Sequence, residues 1–116
     1  MNILIYVDKA TVDRNSLAVF EGEERVGWFY VVRRKHEGES ELEEIATVQI
    51  FHGPLSFGKQ DVVVRWDPAE SMVGLLIRGD VWCVVDRATG TVCQDDYVDG
   101  ARSAVPDVLK ARFNSH

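Results

Sequence analysis

Residues 61–93, DVVVRWDPAESMVGLLIRGDVWCVVDRATGTVC, decide the fold class. They read as three or four short strands joined by tight turns, because apolar runs alternate with clusters of turn-forming residues. Asp67-Pro68 begins one turn, Gly79-Asp80 makes the next, and Asp86–Gly90 a third. A two-residue Gly-Asp loop with glycine first fits a type II′ or I′ hairpin. That loop implies a register in which Arg78 faces Val81, Ile77 faces Trp82, Leu76 faces Cys83 and Leu75 faces Val84. Ile77, Trp82, Leu75 and Val84 then cluster on one face, and Leu76, Cys83 and Val85 occupy the other. A hairpin apolar on both sides belongs in the middle of a sandwich or under a helix.

The flanking sequence extends the same pattern. Asn2–Val7 is apolar on both faces and reads as a covered strand. Leu17–Phe20 and Arg25–Arg33 read as a hairpin around Glu21-Gly22-Glu23-Glu24, with Val26, Trp28, Tyr30 and Val32 on one face and Phe29 and Val31 on the other. Arg34–Glu44 is a long polar interruption, read as a surface loop. Ile45–Phe51 alternates again, with Ala46, Val48 and Ile50 inward. His52-Gly53-Pro54 ends it, since proline cannot donate to a ladder. Near the C-terminus Ser103 or a neighbour is placed to cap a helix with Pro106 in its first turn. Val105, Val108, Leu109 and Phe113 fall on one face of that helix. The expected fold is therefore α+β and mostly β: an antiparallel sheet, either a sandwich or a strongly curled meander, with a short C-terminal helix. Residues 1–116 read as one domain, in keeping with their number.

Composition narrows the function classes. Hydrophobic residues make up 46% and charged residues 28%, as in a soluble globular chain. The formal net charge of −6 repels phosphate backbones, and the basic cluster Arg33-Arg34-Lys35 runs straight into acidic sequence. Nucleic acid is thus not the expected partner. No apolar run reaches a membrane span, and MNILIYVDKA lacks the positive region of a signal peptide, so a cytoplasmic location is expected. Cys83 and Cys93 read as structural thiols.

No motif for chemistry stands out. His36, His52 and His116 have no ligand spacing, and no zinc pattern is present. Asp95–Gly100 superficially resembles a calcium loop, but its third position is Tyr97 and its twelfth is Pro106, where a glutamate is required. It reads instead as an acidic turn. No serine sits in a nucleophile elbow and no glycine-rich phosphate loop occurs. Trp28, Trp66 and Trp82 each lie on an alternating strand, where packing into the core is the expected role. No catalytic residue, cofactor or metal is accordingly expected.

Ala18-Val19-Phe20-Glu21, Val26-Gly27-Trp28-Phe29-Tyr30, Val62-Val63-Val64-Arg65-Trp66-Asp67, Gly74-Leu75-Leu76-Ile77-Arg78-Gly79 and Val84-Val85-Asp86 occur in an order and spacing that resembles a family of small bacterial proteins described only as a domain of unknown function. The likeness spans residues 17–86. It implies a compact, mostly antiparallel β domain in a stand-alone cytoplasmic protein, and it carries over no activity and no site residues. Val64–Asp67 through Asp86 to Gly90 also resembles one propeller blade, but no other segment repeats it.

For function, the expectation is a non-enzymatic, acidic protein-binding module. Glu37, Glu39, Glu41, Glu43 and Glu44 form an acidic stretch suited to a basic protein partner. An immunity-type or antitoxin-like inhibitor is one concrete form. Two alternatives stay open. One is a small-molecule-binding domain or minor enzyme with a pocket between sheet and helix. The other is a homodimer paired through edge strands. The acidic stretch equally suits a purely solubilising role.

Overall fold

The computed structural model describes residues 2–36 and 40–114. Two four-stranded antiparallel meanders face each other. The first contains β1 (Ile5–Ala10), β2 (Ser16–Gly22), β3 (Val26–Arg34) and β4 (Leu42–His52). The second contains β5 (Val62–Trp66), β6 (Met72–Ile77), β7 (Asp80–Asp86) and β8 (Val92–Gln94). In each sheet spatial order equals chain order, the outcome expected when every connection is a short turn. A sandwich with a short C-terminal helix is thus the architecture.

The period of two puts one side of each of β1 to β7 into the shared core. Ala18, Phe20, Phe29, Val31 and Ile50 come from the first sheet, and Val73, Leu75, Ile77, Cys83 and Val85 from the second. Phe57, on the segment that crosses between the sheets, fills the seam against Phe20, Phe51 and Tyr97. Both open sides of the sandwich are bridged. Trp66 Nε1 donates to the Lys9 carbonyl at 2.9 Å, tying β5 to β1. Tyr97 N donates to the Ile50 carbonyl at 2.8 Å, tying the segment after β8 to β4. The acidic Asp95–Gly100 stretch is therefore a strap as well as a solvated turn. Its Asp95 accepts from Ala104 N and its Asp99 accepts from Arg78.

The outer face of the second sheet is covered by the C-terminal segment. α1 (Asp107–Lys110) is a single turn, continued by a tighter 3-10 turn over Ala111–Phe113. Val105 and Phe113 are buried against Leu76, Val81 and Val84. The Phe113 ring lies so close over Gly74 that a Cβ there would come within 3.0 Å of it. Polar clamps fix the cover at both ends. Lys110 Nζ meets Asp80 Oδ1 at 2.8 Å, Arg112 meets the buried Asp67 at 3.1 Å, and Arg65 donates to the Phe113 carbonyl at 2.6 Å.

Several sequence expectations are corrected. The β6–β7 loop is Arg78-Gly79, not Gly79-Asp80. Both residues have positive φ, 52° and 84°, as a type I′ turn requires, and glycine carries the second without strain. Ile77 then faces Asp80, Leu76 faces Val81 and Leu75 faces Cys83, with Trp82 as the extra residue of a bulge. The bulge keeps Trp82 in the core and turns Val84 outward to the cover, so the expected Ile77–Trp82–Leu75–Val84 cluster does not form. Both faces of the hairpin are nevertheless covered. The interruption after β3 is also shorter than Arg34–Glu44. Cross-strand pairs Arg33–Glu43 and Lys35–Glu41 zip the hairpin up, so β4 begins at Leu42. β1 is covered on one face only: Ile5 is buried, whereas Ile3, Leu4 and Tyr6 are exposed. In the C-terminal segment Val108 is exposed and Pro106, not Ser103, occupies the N-cap position. Ser103 Oγ instead accepts from Val105 N two residues on.

Candidate functional site

The outer face of the first sheet follows from the register. Cross-strand partners share a face, so reading across β1 to β4 gives three rows. They are Tyr6–Glu21–Trp28–Gln49, Asp8–Val19–Tyr30–Thr47 and Ala10–Leu17–Val32–Glu44. Trp28, Tyr30, Val32 and Leu17 are half-buried by their neighbours alone, and Val19 beneath them is 1% exposed. Tyr6 lies open at the β1 edge. No described segment lies over this face in the way the C-terminal segment lies over the other sheet. The result is an apolar, aromatic centre with the carboxylates Asp8, Glu21 and Glu44 around it. No basic residue stands in these three rows.

The polar groups on this face are tied together. The Tyr30 hydroxyl donates to Glu21 Oε2 at 2.7 Å, and the Tyr6 hydroxyl to Asp8 Oδ2 at 3.3 Å. Partial burial and the neighbouring carboxylates push both phenols up from their ordinary value, so both remain protonated donors at any working pH. Thr47 donates to Glu44 in the same way. Each carboxylate is oriented, and none forms an ion pair with a described residue, the arrangement that favours a cation arriving over the rings.

The acidic stretch is only partly part of this face. Glu44 is on it, at the β4 side. Glu43 points to the opposite side and binds Arg33 at 2.7 Å, which holds its carboxyl below the usual range. Glu41 pairs with Lys35 across the hairpin turn at 3.6 Å. Glu37, Glu39 and His116 lie outside the described residues. Among the described residues no group of three His, Cys, Asp or Glu side chains is placed to hold a metal ion. Cys83 is buried in the core, and burial pushes its thiol up to about 12, so it is held as a neutral core side chain.

Of the three tryptophans, Trp66 and Trp82 are core residues as expected, while Trp28 is half-exposed in the middle of the bare face. The alternation of β3 already separated Trp28, Tyr30 and Val32 from Phe29 and Val31. What it lacked was the identity of the covered side. No family model, no curated protein and no solved structure matches this chain. No helix among the described residues is long and apolar enough to cross a membrane.

Proposed function

We propose that this chain is a non-enzymatic binding module that takes a basic protein surface onto the outer face of β1–β4, acting in the cytoplasm. The observation that carries the reading is the difference between the two outer faces. One is sealed by the chain's own C-terminal segment, and the other leaves Trp28, Tyr30 and Tyr6 uncovered among carboxylates that form no ion pair with a described residue. Tryptophan, tyrosine and arginine dominate binding hot spots, and a cation gains from both the ring faces and the charge around them. The formal charge of −6 steers a basic partner toward the molecule. An inhibitor that masks the basic working surface of another protein is one form of such a module. Glu44 would extend the contact along the β4 edge.

The test is capture of a partner by the wild type and by two variants, Trp28→Ser and the pair Glu21→Lys with Glu44→Lys. Circular dichroism and thermal melts establish that each variant is folded. A stoichiometric, basic protein lost from both variants supports the proposal, and loss of the complex as salt rises supports its electrostatic part. A partner held equally by all three proteins overturns it. So does a stable dimer of this chain alone that Trp28→Ser dissolves, since a second acidic copy would then be the occupant.

A further inference from the structure

The inner rows of the two sheets do not stay apolar to their ends. One step beyond Ala18 on β2 stands Ser16, and one step beyond Val31 on β3 stands Arg33. One step beyond Val73 stands Ser71, and one step beyond Val85 stands Arg87. Period two therefore turns two guanidiniums and two hydroxyls inward, at the end of the sandwich where the hydrophobic core runs out. The space between them is a cleft of about 520 Å³, whose walls also include Asn15 and Arg34. That volume falls in the range of small-molecule sites.

Arg87 is fixed in place before any ligand arrives. Its Nε donates to Ser16 Oγ at 2.9 Å, one terminal nitrogen reaches Asp13 at 3.1 Å, the other donates to the Glu70 carbonyl at 3.4 Å, and its guanidinium lies 5.8 Å from the centre of the Trp66 ring. Its backbone N donates to the Ser71 carbonyl at 2.9 Å, which continues the β6–β7 pairing into the cleft wall. Arg33 spends only its Nε, on Glu43 at 2.7 Å, and no bond of its two terminal amino groups to another described residue is present. The carboxylates in the wall are turned to backbone donors. Asp86 Oδ1 accepts from Ala88 N and Thr89 N, and Glu70 accepts from Val12 N. The two terminal amino groups of Arg33, with no bond to another described residue, match the oxygens of a phosphate group in a bidentate manner, and the fixed guanidinium of Arg87 adds positive charge from the other sheet.

We infer that this cleft binds a small phosphorylated organic molecule of about the size of a sugar phosphate, with its phosphate between Arg33 and Arg87 and its polar body against Ser16, Ser71 and Asn15. The site is separate from the aromatic face and stands or falls independently of the partner reading. It lies at the end of the sandwich, away from the C-terminal segment that packs on the second sheet through Val105 and Phe113.

Titration of the full chain with ribose 5-phosphate, ribose and inorganic phosphate, followed by amide NMR, tests the inference. Ribose 5-phosphate is expected to shift the signals of Ser16, Arg33, Ser71 and Arg87 and to raise the melting temperature, while ribose does neither. Inorganic phosphate is expected to shift the same arginines more weakly. Arg33→Gln is expected to weaken ribose 5-phosphate about tenfold, and Arg87→Lys, which keeps the charge but removes the fork, by a similar factor. Both variants are compared only after their own melts show a folded protein, and the wild-type map stands if either fails to fold. The inference is overturned by the absence of any shift at about 10 mM probe, well above the millimolar range of weak binding. It is equally overturned if the shifts map elsewhere, or if Arg33→Gln binds as well as wild type.

Discussion

The two sheets share a topology and differ in what lies on their outer faces. Each is a four-stranded meander with one face in the common core. The second sheet is apolar on the outside as well, and its Leu76, Val81 and Val84 are covered by Val105 and Phe113. The first sheet carries Trp28, Tyr30, Val32 and Leu17 on its outside with nothing described above them. Aliphatic side chains with no polar end gain most from complete removal from water, which a short covering segment achieves. Tyrosine and tryptophan have a polar atom that needs a partner, so they tolerate half-burial and suit an interface that is sometimes wet. The same chain thus finishes one face by folding and leaves the other with no described segment over it.

Substitutions separate the two roles. The largest effect is expected from Phe113→Ala. Removing a fully buried ring from the cover leaves a cavity over Gly74 and costs about 3 kcal/mol of unfolding free energy, read from urea denaturation. If that variant were as stable as wild type, the cover would not be part of the folded unit.

Asp80→Asn comes next. It removes the charge that holds Lys110 and one acceptor of Ser103 N, at an expected cost of about 1–2 kcal/mol. The pH dependence has a definite sign. Burial raises the carboxyls of Asp67 and Asp80, but hydrogen bonds outweigh it: Met72 N, Ser71 and Arg112 at Asp67, and Lys110, Ser103 N and Val81 N at Asp80. Both are held below their ordinary value. Their contribution is complete above the unfolded carboxyl value of about 4 and is lost as pH falls through the lower folded values. Denaturation midpoints measured from pH 7 downward should therefore fall in acid, and less steeply in Asp80→Asn.

Trp28→Ala should cost about 1 kcal/mol or less in stability, because a half-exposed side chain loses little burial. Its expected consequence is loss of the partner. A cost comparable to that of Phe113→Ala would mean that Trp28 is a core residue and would erase the contrast between the faces.

The finest probe uses the two thiols. Cys93 packs under the C-terminal cover, whereas Cys83 is buried between the sheets. Phe113→Ala should speed alkylation of Cys93 while leaving Cys83 protected. Equal acceleration of both would mean that cover and core open together.

The β-rich class, the alternation of β3 and β4 and the C-terminal anchors Val105, Leu109 and Phe113 were legible locally, because side-chain period and turn residues act over a few positions. The β6–β7 register was not. Gly79 sits second in its loop, after an arginine in a left-handed conformation, and the bulge at Trp82 seats its ring in the core against Tyr97. Val108 missed its expected face because Val105 precedes the helix, which starts only at Asp107 after an extended Pro106, so the step from Val105 to Val108 is not helical. The candidate sites were the least legible part. Trp28 and Trp82 both stand in alternating strands, and Arg33 follows Val31 by the same period that makes Val31 a core residue. By itself the sequence determined which residues form strands and, outside the β6–β7 hairpin, which of them share a face. Only the tertiary structure decided which face met the other sheet, which met the C-terminal segment, and that Ser16, Arg33, Ser71 and Arg87 converge. Those outcomes depend on contacts between residues far apart in the sequence, such as Gly74 with Phe113 and Ser16 with Arg87, and no local pattern encodes which of two apolar faces wins the larger buried area.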